Sequence, residues 1–213
     1  MTVTGRKGPT MQLASDGAAA AVAIREGPSL PVRWIAGTFV GWSAGFVLAI
    51  LFIVAAESVG MPATQFPLAL GMGTGVGVMQ ARVLRPYLGA RGPWIAATAL
   101  GLAAPFIVAD LARGLGFALP YMLSAYVALG GLLAGILQWP LLRGLVARAA
   151  WWVPASLVGW SLGGATVALN DLLPKTPGLV GALQYVGVVL AGGLLLGSAG
   201  AAVLGAIVPA RRG

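Results

Sequence analysis

The chain has 213 residues, of which 59% are apolar and only 8% charged, and its mean hydropathy is +0.92. Soluble domains average about 25% charged residues, so composition excludes one. Apolar stretches here reach the roughly 20 residues that span a bilayer, and the ~10-residue alternation of a membrane β-barrel is missing. The net charge of +8 comes with no cysteine and no histidine. Their lack removes disulfides, thiol nucleophiles, imidazole bases and the usual zinc sites. No aromatic-interleaved basic patch points to nucleic acid.

Residues 1–32 mix Gly, Pro, Ser and charge around a short apolar run at 17–24. Arg6 and Lys7 fit the positive start of a signal peptide, but Asp16 intrudes and the apolar centre is weak. The composition predicts a flexible cytoplasmic tail. Apolar segments then follow at 34–56, 66–84, 93–108, 120–142, 151–169 and 179–208, punctuated by Pro, Gly and charge. They predict an all-α, six-helix transmembrane domain over 33–209 and a basic tail at 210–213. Pro105, Pro140 and Pro154 fall inside or at the rims of these helices, where neighbouring groups satisfy freed carbonyls.

The cations orient the spans. Arg6, Lys7, Arg25 and Arg33 precede the first; Arg82, Arg85 and Arg91 join the second to the third. Arg143 and Arg148 join the fourth to the fifth, and Arg211 and Arg212 follow the last. With six spans all of these share one side, leaving Arg113 and Lys175 on the other. The positive-inside rule then predicts both termini in the cytoplasm, with the protein in the inner (plasma) membrane. Trp34, Trp94, Trp139, Trp151 and Trp152 fall at the cytoplasmic level, where an interfacial aromatic belt is expected.

An offset of 58 residues aligns two stretches without a gap. Gly73, Gly77, Gln80, Leu84, Arg85, Trp94, Thr98 and Gly101 meet Gly131, Gly135, Gln138, Leu142, Arg143, Trp152, Ser156 and Gly159. The Trp half recurs at the start as Trp34, Ile35, Thr38 and Gly41, and Gly41-Trp42-Ser43-Ala44-Gly45 resembles Gly159-Trp160-Ser161-Leu162-Gly163. The Gly half recurs at the end as Gly193, Gly197 and Leu204, with Gly200 in place of the glutamine and Gly205 in place of the arginine. The unit is a two-helix hairpin, and three in one orientation make parallel repeats, unlike the inverted repeats of many transporters. A pseudo-threefold bundle is the natural arrangement.

This unit resembles a loose group of uncharacterised small bacterial multi-pass membrane proteins with repeated G-x-x-Q-x-x-x-L-R and Trp-plus-glycine hairpins. The resemblance covers about residues 34–208. It implies the fold and no catalytic residue.

The stretch GMGTGVGVMQARVLR at 71–85 tests whether its glycines cradle phosphate. No G-K-[ST] follows, the third glycine of a dinucleotide fingerprint is missing, and the setting is one apolar run. Helix packing explains more. Residues four apart share a helix face, so Gly73/Gly77 form one small stripe and Gly71/Gly75 another. In lipid, small-xxx-small faces let helices approach closely. Gly41/Gly45, Gly131/Gly135, Gly159/Gly163 and Gly193/Gly197 repeat the pattern.

Gln80 and Gln138 each lie five residues before an arginine, about 7.5 Å deeper at 1.5 Å per residue. They predict an interhelical hydrogen bond, with Thr98 or Ser156 as partner, or a ligand contact in a cytoplasm-facing pocket. Arg85 and Arg143 read as snorkelling anchors or as a site for an anionic lipid or a partner. Glu57, Asp110 and Asp171 each close an outbound helix; they form a cation-attracting mouth, cap the loop turn that follows, or face water. No ionisable residue sits at mid-span, which argues against a proton relay.

The expectation is a non-catalytic accessory or scaffold subunit that packs against the bilayer and other membrane proteins, with no cofactor and no metal. The alternative is a small-solute or lipid-binding transport component. Size and span number are similar to the substrate-binding subunits of energy-coupling-factor transporters. The three-hairpin layout is similar to mitochondrial-type carriers, whose Pro-x-acid-x-x-base signature lacks its proline at 108–113.

Overall fold

A computed structural model describes residues 29–61, 63–117, 119–120, 122–143 and 148–207, apart from the side chains of 171 and 205–207. These residues form six α-helices: α1 (Leu30–Ser58), α2 (Phe66–Val83), α3 (Gly92–Gly114), α4 (Leu123–Leu142), α5 (Trp152–Leu172) and α6 (Gly178–Ile207). A single 3-10 turn, Ala149–Trp151, leads into α5. No strand occurs among the described residues. The expected N-terminal tail lies outside them up to residue 28, as does the basic segment 210–213.

Local chemistry sets the helix ends. Proline stands in the first turn of α1, α2 and α3, where its missing N–H would have had no helical partner. Pro31 thus starts α1 inside the stretch assigned to the tail. Gly60 and Gly116 adopt φ values of +80° and +86°, the left-handed conformation that ends a helix without a Cβ penalty. The amides of Met61 and Phe117 then reach back to the carbonyls of Ala56 and Ala112 at 2.9 Å each. The third helix outruns its predicted end at 108: Pro105 is accommodated inside, and helix continues to Gly114.

Five helices are long and apolar enough to cross a membrane: α1, α3, α4, α5 with its leading turn, and α6. The exception is α2, whose glycines, Gln80 and Arg82 dilute its apolar content. It is also heavily enclosed by protein, with Pro67, Ala69, Met72, Val76, Ala81 and Val83 buried beside its glycines and Gln80. A helix sheathed by neighbours needs less lipid-compatible surface.

Each helix packs on the next in sequence, and α6 packs back on α1, so the six close into a ring. The tightest seam joins α1 to α2, where a Cβ on Gly75 would lie 2.5 Å from both the Cα and the nitrogen of Gly45. Two buried layers fill the ring. One, at the end carrying Arg85 and Arg143, gathers Trp34, Trp94 and Trp152 with Leu84, Leu142 and Leu204. The other, toward Glu57 and Asp110, gathers Trp42, Met72, Leu102, Phe106, Trp160 and Leu196.

Candidate functional site

The first buried layer is a plug of three indoles. Trp34 of α1, Trp94 of α3 and Trp152 of α5 have ring centroids 6.3, 5.6 and 5.6 Å apart. Two of the pairs stand nearly edge to face, at 88° and 83°, the arrangement the aromatic quadrupole favours. Because α1, α3 and α5 alternate round the ring, indoles that touch from all three must cross its interior. The aromatic belt expected at this level is therefore corrected. Trp34, Trp94 and Trp152 are at most 3% exposed and face one another, while Trp139 and Trp151 remain on the surface. Sequence depth alone does not separate a lipid-facing indole from one that faces inward.

The two glutamines belong to this plug. Gln138 is 2% exposed; its Oε1 accepts from Trp152 Nε1 at 2.7 Å and its Nε2 donates to Thr98 Oγ1 at 2.7 Å. Gln80 repeats both bonds, accepting from Trp94 Nε1 and donating to Thr38 Oγ1, each at 3.4 Å. Thr98 in turn donates to Trp94 O at 2.8 Å, and Ser156 donates to Gly131 O at 2.7 Å. Thr98 is thus a partner of Gln138, as expected, whereas Gln80 pairs with Thr38 of α1 and Ser156 with a backbone carbonyl. Thr38 was not singled out from sequence, although its register with Thr98 and Ser156 carried the signal.

These bonds leave little room. The chamber lined by Trp34, Gln80, Gln138, Ser156, Gly200 and neighbours has a volume of about 10 Å³, near the minimum for one water molecule. A larger space lies beyond, in the second layer. It is an apolar cup of about 110 Å³ to which every helix contributes, including Phe46, Met72, Phe106, Val127, Val167 and Tyr185. Trp42 and Trp160, centroids 5.9 Å apart, both line it. Trp42 Nε1 donates to Val189 O at 2.9 Å, tying α1 to α6.

The glycine pairs divide between two tasks. Gly41 and Gly45 face the α2 backbone at Gly75 and Met72, Gly73 faces Ala99 and Gly77 faces Thr98. Gly135 meets Val153 and Ser156, Gly159 meets Leu196, and Gly197 meets Ile35. The others seat indoles: Gly131 receives Trp160, and Gly163 and Gly193 receive Trp42. A purely helix-to-helix account of the small-residue pattern is therefore incomplete, since three of its members make space for tryptophan rings.

The charged candidates stay apart from the plug. Arg85 and Arg143 are exposed at one end. At the other, Asp110 Oδ2 accepts from the amides of Gln65 and Phe66 at 2.7 and 2.8 Å, and Oδ1 pairs with Arg113 at 3.3 Å. Asp110 thus caps the start of α2, supplying an acceptor and negative charge where the helix has free N–H groups. Glu57 is exposed beside a surface pocket of about 370 Å³ lined also by Thr64 and Gln65. The side chain of Asp171 lies outside the described residues. The structure brings no group of three or more Asp or Glu together as metal ligands among the described residues.

No protein-family model, no curated protein and no solved structure matches this chain.

Proposed function

We propose that this is a non-catalytic integral membrane protein, an accessory or scaffold subunit that works through its outer faces on lipids and other membrane proteins. One observation carries the reading: the two glutamines of the bundle interior are spent on neighbouring side chains. Gln80 and Gln138 hold Trp94 and Trp152, and three indoles fill the cross-section. A solute path along the ring would have to break this plug. The outward surface is by contrast strongly apolar, with Val47, Ile50, Val54, Leu111, Leu183 and Val186 all about half exposed or more.

In this reading all six helices span, as three hairpins of one orientation, with both termini in the cytoplasm of a cell bounded by an inner (plasma) membrane. Support comes from the ring closure, from the equivalent bonds of Gln80 and Gln138, and from the arginines gathered at one end. Anionic headgroups are the natural contacts of Arg85 and Arg143. Crosslinking with mass spectrometry in native membranes tests the proposal. Recurrent crosslinks from one outer face to a defined membrane protein are expected. A monodisperse, partnerless protein after gentle-detergent purification, with no recurrent crosslink, would overturn it.

The apolar cup favours a second reading, a lipid- or small-solute-binding component. Its lining suits an apolar group, because cavities of this size lined by apolar side chains stay dry and take up hydrocarbon.

A further inference from the structure

We propose that the chamber beside Gly200 binds one water molecule, which takes the place of a third glutamine in the plug. The proposal goes beyond the functional reading and does not depend on it.

Both glutamines obey one pattern. Each accepts from the indole N–H of the tryptophan 14 residues later, and each donates to a hydroxyl on a preceding helix, Thr38 for Gln80 and Thr98 for Gln138. Carried once more round the closed ring, the pattern calls for a group that accepts from Trp34 and donates to Ser156. The position that would supply it is Gly200, which has no side chain.

The geometry at that point is specific. A Cβ on Gly200 would lie 2.5 Å from Trp34 Nε1, so the indole nitrogen is aimed at the glycine. Trp34 is 1% exposed, and its Nε1 has no acceptor among the described residues. Buried donors in native structures are almost always paired with protein or with ordered water. Ser156 Oγ gives its proton to Gly131 O, which leaves its lone pairs as acceptors. Trp34, Ser156, Gln138 and Gly200 all line the same chamber of about 10 Å³.

The guest must accept from Trp34, donate to Ser156 or Gln138, and fit that volume. A carbonyl accepts without donating, an ammonium donates without accepting, and an alcohol or amide is too large. Water meets all three conditions, with the two to four polar partners that buried waters have.

Protein labelled with 15N at the indole nitrogens, in nanodiscs, tests this. Trp→Phe variants at each of the seven tryptophans, W34F, W94F and W152F among them, assign the indole signals. The expected result is a water cross-peak at the Trp34 indole proton, of opposite sign in laboratory- and rotating-frame spectra, which separates a bound water from proton exchange. Trp94, which does not line the chamber, should show none, and Ser156→Ala should weaken the peak at Trp34. No peak at Trp34, or equal peaks at Trp34 and Trp94, would overturn the proposal. Should W34F fail to fold, the other six variants still assign Trp34 by elimination. As a second readout, W34F should lower the thermal midpoint less than W152F, because it releases a replaceable water and W152F strips Gln138 of its donor. An equal or larger drop for W34F would count against the water.

Discussion

Replacing Gln138 by leucine asks how much the plug depends on its polar bonds. The side chain is 2% exposed and makes two bonds of 2.7 Å. Leucine keeps similar bulk but leaves Trp152 Nε1 as a buried donor with no acceptor. Thr98 is less affected, since it continues to donate to Trp94 O at 2.8 Å. An orphaned buried donor costs ~1–3 kcal/mol, while interhelical bonds in membranes average ~0.6 and reach ~1.7 kcal/mol, so about 2 kcal/mol is expected. Gln80→Leu removes the equivalent bonds, but both are 3.4 Å long. Long bonds are weak, and about 1 kcal/mol or less is expected there. The assay is reversible unfolding in mixed detergent micelles followed by tryptophan fluorescence. Trp152→Phe added to Gln138→Leu removes the orphan, so the double variant should be more stable than the sum of the single costs, by roughly 0.5–1.5 kcal/mol of coupling. If Gln138→Leu matches the parent, or Gln80→Leu costs more than Gln138→Leu, the structural role assigned to these residues is refuted. A residue kept for a guest would instead leave stability unchanged and alter ligand binding.

Three further outcomes follow from the same geometry. Gly75→Ala drives a methyl into the Gly45 backbone at 2.5 Å and should destabilise by ~1–3 kcal/mol; Gly187→Ala, in α6 with nothing within 4 Å of the added carbon, should be neutral or stabilise by ~0.5–1 kcal/mol in the same unfolding assay. Asp110→Ala takes the acceptor from the amides of Gln65 and Phe66; hydrogen exchange at those two amides should accelerate, with a stability loss of ~0.5–2 kcal/mol, while Glu57→Gln at an exposed site should change neither. Because the chain has no cysteine, single introduced thiols report orientation cleanly. Gly89→Cys should react with an impermeant maleimide only from the cytoplasmic side and Thr176→Cys only from the other. Labelling of both from one side would refute the six-span topology.

Some of this site was legible before any coordinates. The 58-residue offset put Gln80 and Gln138 in equivalent places, and both make equivalent pairs of bonds. Thr98 was rightly expected to meet a glutamine. The register also contained Thr38 and Gly200, because a hydrogen-bonding pattern that repeats along the chain repeats in space when the ring closes. What went astray were residues whose role depends on facing. Trp34, Trp94 and Trp152 share the depth of Trp139 and Trp151, yet three point inward and two outward. Asp110 caps α2, which precedes it in the chain, rather than the turn that follows it, and that cap is a contact across 44 and 45 residues of chain.

Composition and the order of apolar and polar segments by themselves determined that this chain is helical and built for a membrane, because solvation in lipid is a property of each segment taken alone. The same order located the helix starts to within a few residues where a proline marked them. Only the tertiary structure decided that the six helices close into a ring and that the glutamines are consumed by an aromatic plug. It also showed that some glycines exist to seat indoles, and that Trp34 faces a glycine where its equivalents face a glutamine. Those outcomes rest on contacts between residues far apart in the chain. A side chain's hydrogen-bond partner is set by which helices become neighbours, and α1 meets α6 only once the ring has closed.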